Sequence, residues 1–238
     1  MVKTGNTMDY LELMGYSFVV HSRDFYLVDN SNNNYCPLVK GKDSFQYSFE
    51  RDGVQYFLQF NDKLLRVKND QNEELVISQN EISYDERDKE SSYNKSFVSL
   101  SPSYLSFYFN DDMGDLGVST GFKIYHDMER MDKSVSIRNG STSIEDISVS
   151  NVEGNPTAKH VVRRFNDEGK FTSGTVYEEY LNVDVPKYIQ EEVSSSEVVS
   201  SLIDKIDTMV PGLSNYYANY NPALDRIIKA MQQKKTIQ

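Results

Sequence analysis

Few residues in this sequence have a type and spacing that suggest chemistry. Its three histidines are His21, His126 and His160, and none has the spacing typical of paired metal ligands. His126 precedes Asp127 at the end of a predicted strand, so these two residues are the candidate acid–base pair of a hydrolase. A histidine exposed at the sheet edge is the structural alternative.

An acidic run at residues 110–115 is the candidate metal site. It supplies the carboxylates Asp111, Asp112 and Asp115, and calcium prefers such hard oxygen ligands. The run has neither the spacing of an EF-hand loop nor the glutamate that closes one. The sequence therefore predicts a weak or incidental ion site, or a polar loop, and no cofactor.

No other motif indicates an enzyme. The sequence lacks a glycine-rich phosphate loop and the GxSxG motif of a serine nucleophile. Its single cysteine, Cys36, has no base beside it in the sequence and is interpreted as structural. Catalysis would require a site assembled from distant strands.

The charge of the chain points to a kind of partner. Its 36 acidic and 25 basic residues give a net charge of −11. Such a surface repels phosphate backbones, so a basic protein is a more favourable partner than nucleic acid. Solubility alone is the simpler explanation of this charge.

The same composition bears on location. One cysteine excludes an internal disulfide, and residues 1–16 lack the apolar core of a signal peptide. No apolar run approaches the roughly 18 residues needed to span a membrane. We therefore expect an intracellular, cytoplasmic protein with no membrane partner.

The C-terminal segment differs in charge from the rest of the chain. Its cations are Arg226, Lys229, Lys234 and Lys235, and its acidic residue is Asp225, which together give a local charge of +3. These cations are the candidate partner-binding residues, either for another protein or for self-association. Complementarity between cations and a helix C-terminus is the structural alternative.

Aromatic content and turn signals predict a β-rich fold. The chain has 17 Tyr, 12 Phe and no Trp, and Tyr and Phe favour strands. Asp52-Gly53 is typical of a two-residue hairpin turn. Pairing outward from this turn places Phe49 opposite Tyr56, Tyr47 opposite Leu58, and Phe45 opposite Phe60.

Further strands follow from alternation and turn chemistry. A second hairpin is predicted over residues 63–78, with Leu65 facing Val76, and residues 80–95 are predicted to form an exposed loop. The remaining strands are predicted at residues 16–20, 24–28, 104–109, 121–126, 134–138, 144–149, 159–165 and 170–180. We expect a mainly β, α+β protein whose strands form an antiparallel meander, a sandwich or a barrel-like sheet.

The pattern becomes helical after Pro186. Ser194 and Glu197 form a candidate capping box, and apolar residues at helical spacing follow as far as Met209. Asn221 and Pro222 start another predicted helix. The sequence therefore divides into a β-rich domain at 1–185 and a helical segment at 186–238 that packs on it or extends from it.

The overall profile resembles, in composition alone, that of immunity proteins and of virus- or phage-encoded accessory proteins. That resemblance implies a non-catalytic acidic binding protein that inhibits or escorts a basic protein partner. Two alternatives stay open. One is a structural or viral accessory protein that self-assembles through its C-terminal helix, and the other is a hydrolase built around His126 and Asp127.

Overall fold

One long antiparallel sheet is the main element of the molecule, and its strands follow the order of the sequence. The computed structural model describes residues 5–88, 94–113, 116–180 and 182–237. Within them, each internal strand of the long sheet pairs with the strands before and after it in the chain. The mainly β, α+β class and the antiparallel meander predicted from the sequence are confirmed.

A short helix and a small sheet precede the long sheet. They are α1 (Thr7–Leu13), β1 (Tyr16–His21), β2 (Asp24–Asp29) and β3 (Asn34–Pro37). The long sheet then contains thirteen described strands. They are β4 (Val39–Lys40), β5 (Phe45–Arg51), β6 (Val54–Phe60), β7 (Leu64–Asn69), β8 (Glu73–Ser78), β9 (Ile82–Arg87), β10 (Asn94–Leu100), β11 (Tyr104–Met113), β12 (Leu116–Tyr125), β13 (Arg130–Asn139), β14 (Ser141–Val152), β15 (Asn155–Phe165) and β16 (Phe171–Tyr180). The chain continues through α2 (Val185–Ser194), α3 (Glu197–Met209), α4 (Leu213–Ala218) and α5 (Pro222–Ile237).

The hairpin of β5 and β6 has the predicted register. Asp52 and Gly53 have φ angles of +53° and +77°, the positive values that a type I′ turn requires. Phe49 pairs with Tyr56, and the pairs farther from the turn follow as expected. Turn chemistry and side-chain alternation specify the same register here, which is why the prediction was correct.

The next hairpin differs from the prediction by one residue. Leu65 faces Ile77 and not Val76. The side chain of Asn69 accepts hydrogen bonds from two backbone N–H groups of the loop, at 3.0 and 3.1 Å. The last pair before the turn is Lys68 with Glu74, so five residues separate the paired strands. The prediction placed four residues there, 69–72, and the pairing shifts by one residue accordingly.

The exposed loop predicted at 80–95 is wrong for residues 82–87, which form β9, and for residues 94 and 95, which begin β10. Ile82 and Tyr84 are fully buried, and Ser83 and Asp85, which alternate with them, face the other side of the sheet. Residues 89–93 lie outside the described part of the chain.

The long sheet buries one face and leaves the other open. In β6, Tyr56, Leu58 and Phe60 are buried, whereas Phe57 between them is 47% exposed. Strand pairing continues this buried side across the sheet through Val67, Leu75, Tyr84, Val98, Phe107 and Phe122. We name this side the covered face and the opposite side the open face.

Two groups of elements form the cover. The small sheet packs its rings on β5 and β6, for example Phe18 against Phe45 and Phe60 with centroids 5.2 and 5.9 Å apart. Helices α2 and α3 contact β10, β11, β13 and β14. The helices and the sheet share one cluster of buried residues, so the helical segment packs on the sheet.

The helical segment begins earlier than predicted. Asp184 caps α2 by accepting a hydrogen bond from the N–H of Lys187 at 3.1 Å, and Pro186 lies in the first turn, where a proline is tolerated. The predicted N-cap, Ser194, is the last residue of α2. Ser196 caps α3 instead.

Candidate functional site

A concavity of about 400 Å³ with polar walls lies at the ends of β7, β8 and β9. Its lining residues carry four carboxylates and two cations. They are Lys68, Asn69, Asn72, Glu73, Glu74, Asp85, Arg87 and Asp88. We name it the acidic concavity.

Two of its carboxylates are occupied by neighbours. Glu73 accepts hydrogen bonds from the Asn69 amide at 2.6 Å and from the Tyr84 hydroxyl at 2.7 Å. Glu74 lies 3.1 Å from Arg66 and 3.3 Å from Lys68. These contacts fix the walls of the concavity.

Asp85 is different, because its Oδ1 atom is buried and accepts no hydrogen bond from the described residues. In the sheet it stands between Glu74 on β8 and Phe97 on β10. Burial raises the pKa of its carboxyl above 3.8, the charge of Arg87 lowers it, and the charge of Glu74 raises it again. Asp85 is therefore a poorly compensated acceptor in the wall of the acidic concavity.

The acidic concavity also lies in the most acidic part of the chain, the N-terminal segment 5–88. This segment contains eight basic and fifteen acidic side chains, a net charge of −7 out of the total of −11. Its field attracts cations and lowers the concentration of anions near the concavity. A lysine or arginine side chain is the group that both the field and Asp85 favour.

The predicted catalytic pair lies elsewhere. His126 and Asp127 are exposed in the turn after β12. The backbone N–H of His126 donates to the Ser103 carbonyl at 3.1 Å, and the Asp127 carboxylate accepts from the N–H of Glu129 at 3.0 Å. Both residues thus have local roles in the turn, and neither lines the acidic concavity.

The predicted metal loop is partly strand. β11 continues through Met113, and Asp111 is exposed on it opposite Val118. The side chain of Asp112 and the whole of Asp115 lie outside the described residues. Among the side chains that are described, no group of three His, Cys, Asp or Glu residues is arranged to hold a metal ion.

The four C-terminal cations are all exposed, and two of them have partners within the chain. Lys229 forms an ion pair with Asp225 at 2.7 Å, and Arg226 and Lys235 are exposed. Lys234 donates to the Ser194 hydroxyl at 3.0 Å and contacts the hydroxyl of Ser195, at the C-terminus of α2. Its ammonium group therefore joins two helices of the same chain.

The apolar side of α5 is buried within the chain. Its buried residues are Ala223, Leu224, Ile227, Ile228, Ala230 and Met231. Self-association through α5 would therefore have to use its charged outer side.

The chain has no match among protein-family models, curated proteins or solved structures. In the described part of the chain, no helix combines the length and the apolar character needed to cross a bilayer.

Proposed function

We propose that this protein is a non-catalytic, cytoplasmic binding protein that holds a basic segment of a protein partner and thereby inhibits or escorts it. The observation that carries the proposal is the buried, unsatisfied carboxylate oxygen of Asp85 in the acidic concavity. A lysine or arginine of the partner that enters the concavity brings a hydrogen-bond donor and a further positive charge to this carboxylate, which the charge of Arg87 compensates only in part.

The environment of Asp85 makes this contact stronger than an ordinary surface ion pair. Attraction between charges grows as water is excluded, and Asp85 stands beside the ring of Phe97. The concavity holds about 400 Å³, which is enough for a long basic side chain to enter. The surrounding charge of −7 guides the basic segment towards it.

The test is the affinity of the full chain for a fluorescein-labelled hexalysine peptide, followed by fluorescence anisotropy. We expect Asp85→Asn to weaken binding about tenfold, because it removes the charge at the half-buried position. Asp62→Asn is the matched control, since it removes one exposed carboxylate from the same acidic segment 5–88. It should change the affinity by less than about twofold.

Loss of fold would not explain such a result. Burial of Asp85 disfavours its charged form, so the neutral replacement should leave the free energy of unfolding unchanged or higher. If the two substitutions weakened binding equally, the affinity for hexalysine would depend only on the overall charge of the protein, and the proposed site would be wrong.

Acidification gives a second measure of the same contact. The carboxylate of Asp85 is lost as the pH falls through its raised pKa, so binding should decline at a pH above 3.8, the ordinary value for aspartate. In Asp85→Asn this part of the decline should be missing. A pH profile shared by both proteins would count against Asp85.

A further inference from the structure

The outer edge of β16 is a long row of unpaired backbone groups. The long sheet is open, and its two edge strands are β4 and β16. β4 has two residues, Val39–Lys40, whereas β16 has ten. Short edge strands are protected against pairing with other chains, but a long one is a template for an added strand.

No described residue covers β16 on either face. Every one of its residues is exposed, including Phe171 and Val176 at 61%, Tyr177 at 59% and Tyr180 at 85%. Segment 172–177 contains no charged residue and no proline, the residues with which proteins commonly block an edge. Apolar groups displayed on both sides of an unpaired strand are typical of an interface.

The charge of this hairpin identifies the partner. Residues 155–180 contain four basic and four acidic side chains, so the hairpin is neutral in a chain of net charge −11. Two copies of an acidic protein repel each other over most of their surface, and the neutral hairpin is a region where they can approach. Lys159 lies directly opposite Glu178 and offsets its charge.

We infer that β16 pairs antiparallel with β16 of a second copy of this chain, which joins two long sheets into one. The two copies are related by a two-fold axis perpendicular to the sheet, so the same face of each sheet lies on the same side. A register in which Val176 of one copy faces Val176 of the other has this symmetry. The other facing pairs are then Thr175 with Tyr177, Gly174 with Glu178, and Ser173 with Glu179. Each glutamate meets an uncharged residue, and the rings of Tyr177 and Tyr180 gain neighbours across the axis.

This arrangement ends at two copies. In the pair, the β16 edge of each chain is hydrogen-bonded to the other chain. The edges of the combined sheet that remain unpaired are the two-residue strands β4. Because both chains use the same surface, the interface is isologous and does not propagate into a fibre.

The test is the mass of the full chain by size-exclusion chromatography with light scattering. Wild-type protein should have twice the mass of 27.4 kDa calculated for one chain. Val176→Lys places two ammonium groups opposite each other at the axis and should reduce the mass to that of one chain. Val176→Glu should do the same, and a mixture of the two variants should recover the double mass, because opposite charges then face each other.

Val39→Lys is the matched control. Val39 is 66% exposed on the other edge strand, so its substitution should leave the double mass intact. Circular dichroism of all three valine variants should match the wild type, since positions 176 and 39 are both exposed. A wild-type protein of single mass, or a Val176→Lys variant that keeps the double mass, would overturn the inference. If the wild-type protein has the mass of one chain, the β16 edge remains open to a strand of another protein.

Discussion

At the scale of single residues, two adjacent carboxylates in β9 show how a sheet separates opposite electrostatic environments. Asp85 faces the open side, where burial raises its pKa by more than the charge of Arg87 lowers it. Glu86 faces the covered side. Burial would raise the pKa of Glu86, but hydrogen bonds from Lys205 and Ser96 and the charges of Lys205 and Lys95 hold it below its ordinary value.

The ion pair of Glu86 and Lys205 should contribute measurably to stability. It joins α3 to β9, and the two side chains are 14% and 28% exposed. Lys205→Met leaves the buried carboxylate with the more distant Lys95, at 3.5 Å, and should lower the free energy of unfolding by about 1–3 kcal/mol at pH 7. Urea denaturation measures this difference.

The pH dependence of that difference has a definite sign. The pKa of Glu86 is depressed in the folded chain, so the stability it contributes is present above its unfolded pKa and is lost as the pH falls through the folded value. The gap between wild type and Lys205→Met should therefore close in acid. Lys187→Met is the control, because its pair with Glu191 is 71% and 64% exposed, and it should cost less than about 0.5 kcal/mol. A gap that persists in acid would mean that Lys205 acts by packing.

At the scale of elements, the contact of α5 with the end of α2 depends on one cation. The carbonyl and hydroxyl groups at the C-terminus of α2 receive the ammonium group of Lys234, which offsets the negative end of the helix dipole. Lys234→Met should lower the free energy of unfolding by about 1 kcal/mol. Lys235→Met is the matched control. Lys235 is the neighbouring residue and is exposed like Lys234, but its substitution leaves the contacts of Lys234 with α2 in place and should have no measurable effect. Equal effects of the two variants would contradict this intramolecular role.

The elements also show where sequence reasoning succeeds. The hairpin at Asp52-Gly53 was predictable in full because two independent signals, turn chemistry and alternation, specify one register. β9 was missed because its acidic residues resemble a loop, although Ile82 and Tyr84 alternate with them as a half-buried strand requires. α2 was missed because the candidate capping box placed the first helix start at Ser194. Asp184 caps the helix instead, and Pro186, two residues later, lies in its first turn, as is typical of a helix start.

The candidate site was less predictable than the fold. Asp85 is one of 36 acidic residues, and its own neighbours in the sequence do not distinguish it. Its burial depends on Glu74 and Phe97, which strand pairing brings beside it from eleven and twelve residues away. Because the burial of Asp85 arises from the pairing of three strands, no local sequence motif indicates it.

At the scale of the whole molecule, the sheet and the helical cover are expected to fold together. The buried cluster runs from the small sheet through β6–β14 to α5 without interruption. A chain ended at Asp184 would leave Phe107, Phe122 and Ile124 without the helices that bury them. It should lose cooperative unfolding and bind a hydrophobic dye, which circular dichroism and dye fluorescence would show.

The full-length chain is the reference for that experiment and should unfold in a single transition. A shortened chain that retains cooperative unfolding would instead support the division into a β-rich domain at 1–185 and a separate helical segment.

The strict agreement between strand order and sequence order has a consequence for synthesis. Each strand can pair with its predecessor as soon as it leaves the ribosome, so the sheet needs no distant partner to grow. The helices α2–α5 come after the sheet in the chain. At the usual rate of translation, about 3–10 s pass before these helices are complete. During that time the apolar covered face of the nascent sheet is exposed and accessible to chaperones.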